Sequence, residues 1–113
     1  MNYMKNIDYA KVVTLADEIQ VMPGQVVSKT LVQNSAVSVT LFAFSKGEEI
    51  SAHESTGDAF VTVLEGVGRF TVGGVEHFVH AGEALVMPAH VMHAVYGEED
   101  FKWMLTVIFP FDS

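Results

Sequence analysis

Gly47-Glu-Glu-Ile-Ser-Ala-His53, running on to Val63-Leu-Glu-Gly66, and Gly82-Glu-Ala-Leu-Val-Met-Pro88-Ala-His90-Val-Met-His93 are the two stretches that decide the fold of this chain. In each, a glycine is followed by five residues before the first landmark, His53 or Pro88. Around them, turn residues recur at short spacing: Gly24, Asn34-Ser35, Gly57, Gly66, Gly68, Gly73-Gly74 and Gly97. The intervening runs are rich in Val, Phe and Thr. Frequent breakers between short β-type runs predict an all-β sandwich or barrel.

Strands are predicted over 26–33, 36–44, 60–65, 69–72, 75–79, 85–87, 93–96 and 101–109. Asn34-Ser35 suits a tight turn, and Gly73-Gly74 suits a hairpin with positive φ. Residues 15–20 have room for one helical turn, with Thr14 as its cap. The runs Phe60-Val61-Thr62-Val63-Leu64 and Leu105-Thr106-Val107-Ile108-Phe109 are apolar on both parities. A strand with one wet face alternates instead. These two are expected to be covered on both sides, by a second sheet inside the barrel and by another subunit outside it.

One domain over 1–113 is expected, with 1–24 an N-terminal segment packing on the barrel. The net charge of −8 opposes binding to phosphate backbones and anionic lipid surfaces, so neither nucleic acid nor membrane is an expected partner. Lys5, Asp8, Lys11, Asp17 and Glu18 interrupt every candidate signal-peptide core. The absence of cysteine removes disulfides, thiolate metal sites and a cysteine nucleophile together, and suits the cytoplasm, the expected location.

The two motifs resemble those of the cupin superfamily, usually written G-x5-H-x-H-x3/4-E-x6-G and G-x5-P-x-G-x2-H-x3-N. The resemblance spans 47–93. It implies a double-stranded β-helix, a cupin-type jelly-roll barrel, in its minimal one-domain form. It also implies an inward metal site of three histidines and a glutamate. Here His53 falls on the first histidine position and His93 on the last. Ser55 replaces the second histidine, and Ala59, counted back from Gly66, replaces the glutamate. His90 replaces the glycine of the second motif, and Tyr96-Gly97 its asparagine region.

Two functional readings follow. In the first, the chain binds a small molecule in a barrel pocket lined by His53, His93, Ser55 and Ala59, with no obligatory metal. In the second, it is a metal-dependent enzyme of oxygenase or isomerase type. His53, His93 and Asp58 would then form a two-His-one-carboxylate site for Fe, Mn, Ni or Zn. Asp58 lies one residue from Ala59 and faces away from it on a regular strand. The second reading therefore needs a bulge at 55–57 to turn it inward. His77 and His80 have opposite parity and are expected to be solvent-exposed. His90 falls at the pocket mouth or on the surface. Phe60 and Leu64 are expected to point outward, opposite Val61 and Val63. Such an apolar patch predicts a homodimer.

Overall fold

The computed structural model describes residues 2–111. It has nine strands: β1 Val26–Gln33, β2 Val37–Phe44, β3 Glu49–His53, β4 Asp58–Glu65, β5 Val67–Val72, β6 Val75–His80, β7 Ala84–Met87, β8 His93–Gly97 and β9 Phe101–Ile108. They make two antiparallel sheets, ordered β1-β2-β9-β4-β7 and β3-β8-β5-β6. From β2 onward the chain passes back and forth between the sheets: β3 lies in the second, β4 in the first, β5 and β6 in the second, then β7, β8 and β9 in turn. This winding is the jelly roll, and it brings the two motifs to one end of the sandwich. Among the described residues, no helix is long and apolar enough to cross a membrane.

The period-two pattern of β4 sets the inner face. Ala59, Val61 and Val63 are buried, while Phe60 is 46% exposed. Opposite them in register stand Val107, Leu105 and Trp103 of β9. Aromatic side chains fill the far end of the space between the sheets. Trp103 stacks on Phe42 at 4.7 Å, and Phe70 meets Trp103 edge-on at 5.1 Å. This packing depends on Gly68, because a Cβ there would stand 2.4 Å from the Phe101 ring. The hairpin at Gly73-Gly74 has φ of 56° and 84°, the left-handed conformation that glycine adopts without strain.

Several features differ from the sequence expectation. Strand β3 is extended despite having only one large apolar residue, Ile50, because it is an edge strand that takes its hydrogen bonds from β8. The helical turn is a short 3-10 turn over Leu15–Glu18, and the Thr14 side chain does not cap it. The connection after β1 is wider than a two-residue turn. Asn34 Oδ1 accepts from the backbone N–H of both Ala36 and Val37. His77 is half-buried rather than exposed, since it lies opposite the buried Phe70.

The outer face of the larger sheet carries a second apolar cluster. Ile7, Ile19 and Val21 pack there against Leu31, Leu41, Leu64 and Met104. Part of the cover expected from another subunit thus comes from the chain's own residues 7–21. Two lysines pin this strap to the sheet. Lys102, only 7% exposed, donates through Nζ to Ala16 O at 2.6 Å, and Lys29 Nζ donates to Glu18 O at 3.1 Å. Cations thus meet the bare carbonyls at the end of the 3-10 turn.

Candidate functional site

The site is assembled by the pairing of β3 with β8. Their register places His53 opposite His93, after a slip between Ile50 and His53. Two side chains directly opposite in an antiparallel pair stand close together on one face. The imidazole rings lie 4.3 Å apart between centroids, and the two Nε2 atoms are 3.1 Å apart. Two residues 40 positions apart in sequence thus form one centre. His93 is 5% exposed and lies beneath, while His53 stands at the solvent side.

The other ring nitrogens fix the chemistry. Nδ1 of His53 is 2.9 Å from Ser51 O, and Nδ1 of His93 is 3.2 Å from Val91 O. A carbonyl oxygen only accepts, so each Nδ1 carries the hydrogen. The two Nε2 atoms of the neutral rings therefore present bare lone pairs to each other. Two lone pairs at this distance repel unless something electropositive joins them: a proton, a metal ion, or the N–H or O–H of a ligand. Burial holds the His93 pKa below its ordinary value, and a positive charge on neighbouring His53 lowers it further, against the opposing pull of Val91 O. Near neutral pH this keeps the His93 lone pair available.

The residues fit part of a metal site. Two nitrogens bound to one ion at about 2.0–2.1 Å each stand no more than about 4.2 Å apart, and the observed Nε2 pair falls within that span. An Nδ1–H tied to a backbone carbonyl is also the usual support of a ligating histidine. The remaining positions do not follow the sequence expectation. Asp58 is not brought to the pair. Strand β4 alternates regularly from its first residue, so Asp58 stays on the side away from the buried Ala59. The register slips lie instead between Thr30 and Val32, between Ile50 and His53 and between Val63 and Glu65. Asp58 Oδ1 accepts from Ala89 N at 2.9 Å. Among the described residues, no group of three or more His, Cys, Asp or Glu side chains is placed to hold a metal.

Ala59 points inward, opposite Met87 and Val107, and is buried in the core with them. Ser55 is half-buried, and its Oγ accepts from Gly57 N at 3.1 Å. Gly57 must be glycine, because a Cβ there would meet Ile108 O at 2.4 Å. Phe42, Ile50, Val72, Leu85 and Leu105 are partly buried and pack against the core. A surface hollow lies elsewhere, among Asn34, Ser35, Thr56, Phe109 and Pro110. It holds no titratable side chain, so the chemistry points to the histidine pair instead.

Four supports of the site were missed by reading the sequence. Ser51 O and Val91 O orient the rings, but a carbonyl has no sequence signature. The bond from Ala89 N to Asp58 ties the loop before His93 to the start of β4. His90 is exposed and has φ of 62°, with its N–H donating to Ser55 O at 2.8 Å. That left-handed backbone explains why a glycine is usual there, and the mismatch at His90 was the available signal.

Fold and site together define a class: jelly-roll barrels with a histidine centre between the sheets. The chain belongs to the cupin family, whose cupin-domain model matches residues 40–109. It is similar over 99% of its length to 98% of a conserved protein of unknown function from Streptococcus pyogenes, with 40% identity and a TM-score of 0.96. A cupin superfamily protein from Desulfitobacterium hafniense DCB-2 is 30% identical, with a TM-score of 0.90 over 95% of this chain and 98% of that one. Over 86 residues, 71% of the chain, it is 30% identical to the dimethylsulfoniopropionate lyase DddW of Ruegeria pomeroyi. The matched region covers 57% of that lyase's length.

Proposed function

We propose that this protein binds a small organic molecule between its sheets, anchored by His53 and His93 at the open end. The observation that carries this reading is the pair of facing Nε2 lone pairs, 3.1 Å apart, with both Nδ1 atoms already engaged by backbone carbonyls. A ligand that supplies an N–H or O–H to this centre satisfies two acceptors at once. The inward faces of Ala59, Met87 and Val107 and the partly exposed Leu105 supply an apolar wall. The likeness to a dimethylsulfoniopropionate lyase supports a small organic occupant. That activity is not carried over, because two of the four motif positions hold Ser55 and Ala59.

A second reading is favoured by the Nδ1 contacts and by the lowered pKa of His93. Here His53 and His93 hold a divalent ion such as Fe, Mn, Ni or Zn through Nε2. The ion would act as a Lewis acid toward a bound oxygen donor. The chain's own part is to orient the two imidazoles through Ser51 O and Val91 O and to limit water with the apolar wall.

A thermal-shift screen of small organic acids, alcohols and amines tests the first reading, run on metal-free wild type and on His93→Gln. Compounds that raise the melting temperature of wild type should lose that effect in the variant. Compounds that stabilise both proteins equally would place the binding elsewhere. Metal analysis of protein purified without a histidine tag separates the second reading, which requires near-stoichiometric metal.

A further inference from the structure

The inner face of the five-stranded sheet changes character across its width. On β9, β4 and β7 it is apolar: Leu105 and Val107 continue in register into Val61 and Ala59, and these into Leu85 and Met87. On β2 the alternation that turns Phe42 and Phe44 toward the core also turns Thr40 and Ser38 inward. Val37, Val39, Leu41 and Ala43 form the opposite, outer set. The register partners of Thr40 and Ser38 on β1 are Thr30 and Gln33. Inward faces of packed sheets are normally apolar. Here Thr30, Thr40 and Ser38 are half-buried and Gln33 is exposed, so this corner is a polar wall in contact with solvent.

The wall lies at the histidine end of the barrel. Gly47 N, in the turn that follows β2, donates to Gly97 O at 2.9 Å, which fixes the end of β8 beside the end of β2. His93 opens β8, so it lies toward the other end of β2. Ala89, just before His93, bonds Asp58, whose register partner Ile108 pairs with Val37. Packed sheets stand about 10 Å apart. Imidazoles reaching in from one sheet and hydroxyls from the other leave a gap that a small molecule bridges.

Among the described strands, no Asp, Glu, Lys or Arg lies on an inner face. Lys29 and Lys102 reach the strap, and Glu65 stands beside Lys102. Arg69 bonds Glu76 and Glu98 on the outside, Glu49 lies opposite Tyr96 of that group, and Asp58 is turned to Ala89 N. This separation is pronounced in a chain with 14 acidic residues. A charged group held inside would have no partner of opposite sign, and an unpaired charge is costly to bury. One row beyond Leu105, inward Trp103 keeps a buried Nε1–H without an acceptor among the described residues. A buried donor is normally paired, so this row too favours an occupant that carries oxygen.

Resting on the reading that His53 and His93 anchor a small organic molecule, we propose that this molecule is an uncharged polyhydroxylated compound, a polyol or a sugar. Its O–H donates to the Nε2 lone pairs, and its other hydroxyls are read by Thr40, Ser38 and Thr30. Hydroxyl side chains both donate and accept, which suits a ligand whose groups do the same. Leu105 and Val107 supply the surface for its C–H face.

The test is titration of metal-free protein with xylitol, ribitol, arabitol, glucose and galactose, and with gluconate and glucosamine as charged counterparts. Calorimetry gives the affinity, and the fluorescence of Trp103, the only tryptophan, reports on the inner face. At least one neutral compound should bind with a preference among stereoisomers, and the charged compounds should bind at least about tenfold more weakly than it does. Thr40→Val and Ser38→Ala should each weaken binding roughly 2- to 10-fold, and Thr71→Val, on the outer face of the other sheet, should not. Circular dichroism checks the fold, and if one variant fails to fold, the other carries the test. Neutral compounds that lose binding in His93→Gln but not in Thr40→Val or Ser38→Ala would overturn this proposal and leave the histidine reading standing. Tighter binding of gluconate or glucosamine would do the same. No binding by any of these compounds would overturn both.

Discussion

Asp58 offers a test that separates a structural carboxylate from a ligand. Its Oδ1 accepts one hydrogen bond, from Ala89 N at 2.9 Å, and this bond ties the loop that delivers His93 to the start of β4. Asp58→Asn keeps an acceptor oxygen in place, and Asp58→Ala removes it. A partly solvated hydrogen bond of this kind contributes about 0.5–1.5 kcal/mol net. With an m-value of about 2 kcal/mol/M, Asp58→Ala should lower the urea midpoint by roughly 0.5 M. Asp58→Asn should stay within about 0.2 M of wild type on the same scale. Loosening the loop can weaken any ion held by the histidines by no more than that same free energy, roughly tenfold at most. Asp58→Asn should leave that affinity unchanged. A carboxylate that ligates predicts the reverse order. Asp58→Asn would then lose more than tenfold in manganese or nickel affinity while keeping its stability. Urea titration and calorimetric metal titration of the three proteins decide the matter. Equal stability loss in both variants, or a collapse of affinity in Asp58→Asn alone, would refute the reasoning.

Gly68→Ala forces a methyl group against Phe101 and Phe70 and should destabilise by about 1–3 kcal/mol; a thermal melt within a degree of wild type would mean that the aromatic end is loosely packed. Because burial and His53 lower the His93 pKa from 6.5, the unfolded chain takes up its proton first as pH falls. Stability should therefore be full above pH 6.5 and decline as pH drops from there toward the folded pKa, with His93→Gln flatter over the same window in chelator-treated buffer. Lys102→Met removes the bond to Ala16 O and should free the strap. A loss of about 1 kcal/mol would speed limited proteolysis within residues 7–24 roughly fivefold, leaving the barrel intact; unchanged cleavage would mean that Ile7, Ile19 and Val21 hold the strap unaided.

Much of this architecture was legible in the sequence. Gly47 and Gly82 with their following histidines marked the two motifs, and the alternation of Ala59, Val61 and Val63 marked the inner face. The Gly73-Gly74 hairpin was equally clear, since two left-handed residues leave few other choices. What stayed hidden depended on partners distant in sequence. Glu49–His53 has no strand-like run of its own and is extended because β8 pairs with it. The inward turn of Asp58 required an irregularity at 55–57, but the slip in its own strand falls near the other end, between Val63 and Glu65. Leu64 and Met104 are covered by Ile7, Ile19 and Val21, a contact that no periodicity announces. The convergence of His53 with His93 was expected from the motifs. The capture of both Nδ1 atoms by carbonyls appears only in three dimensions.

That capture is the centre of the account, and nitrogen NMR of the histidine side chains reads it directly. In chelator-treated protein above pH 7, long-range proton–nitrogen spectra should show both rings protonated at Nδ1 and bare at Nε2. One added equivalent of nickel or zinc, or of a stabilising small molecule, should shift the two Nε2 signals together at one concentration. Either ring protonated at Nε2 instead, or two Nε2 signals that respond independently, would contradict a single centre shared by His53 and His93.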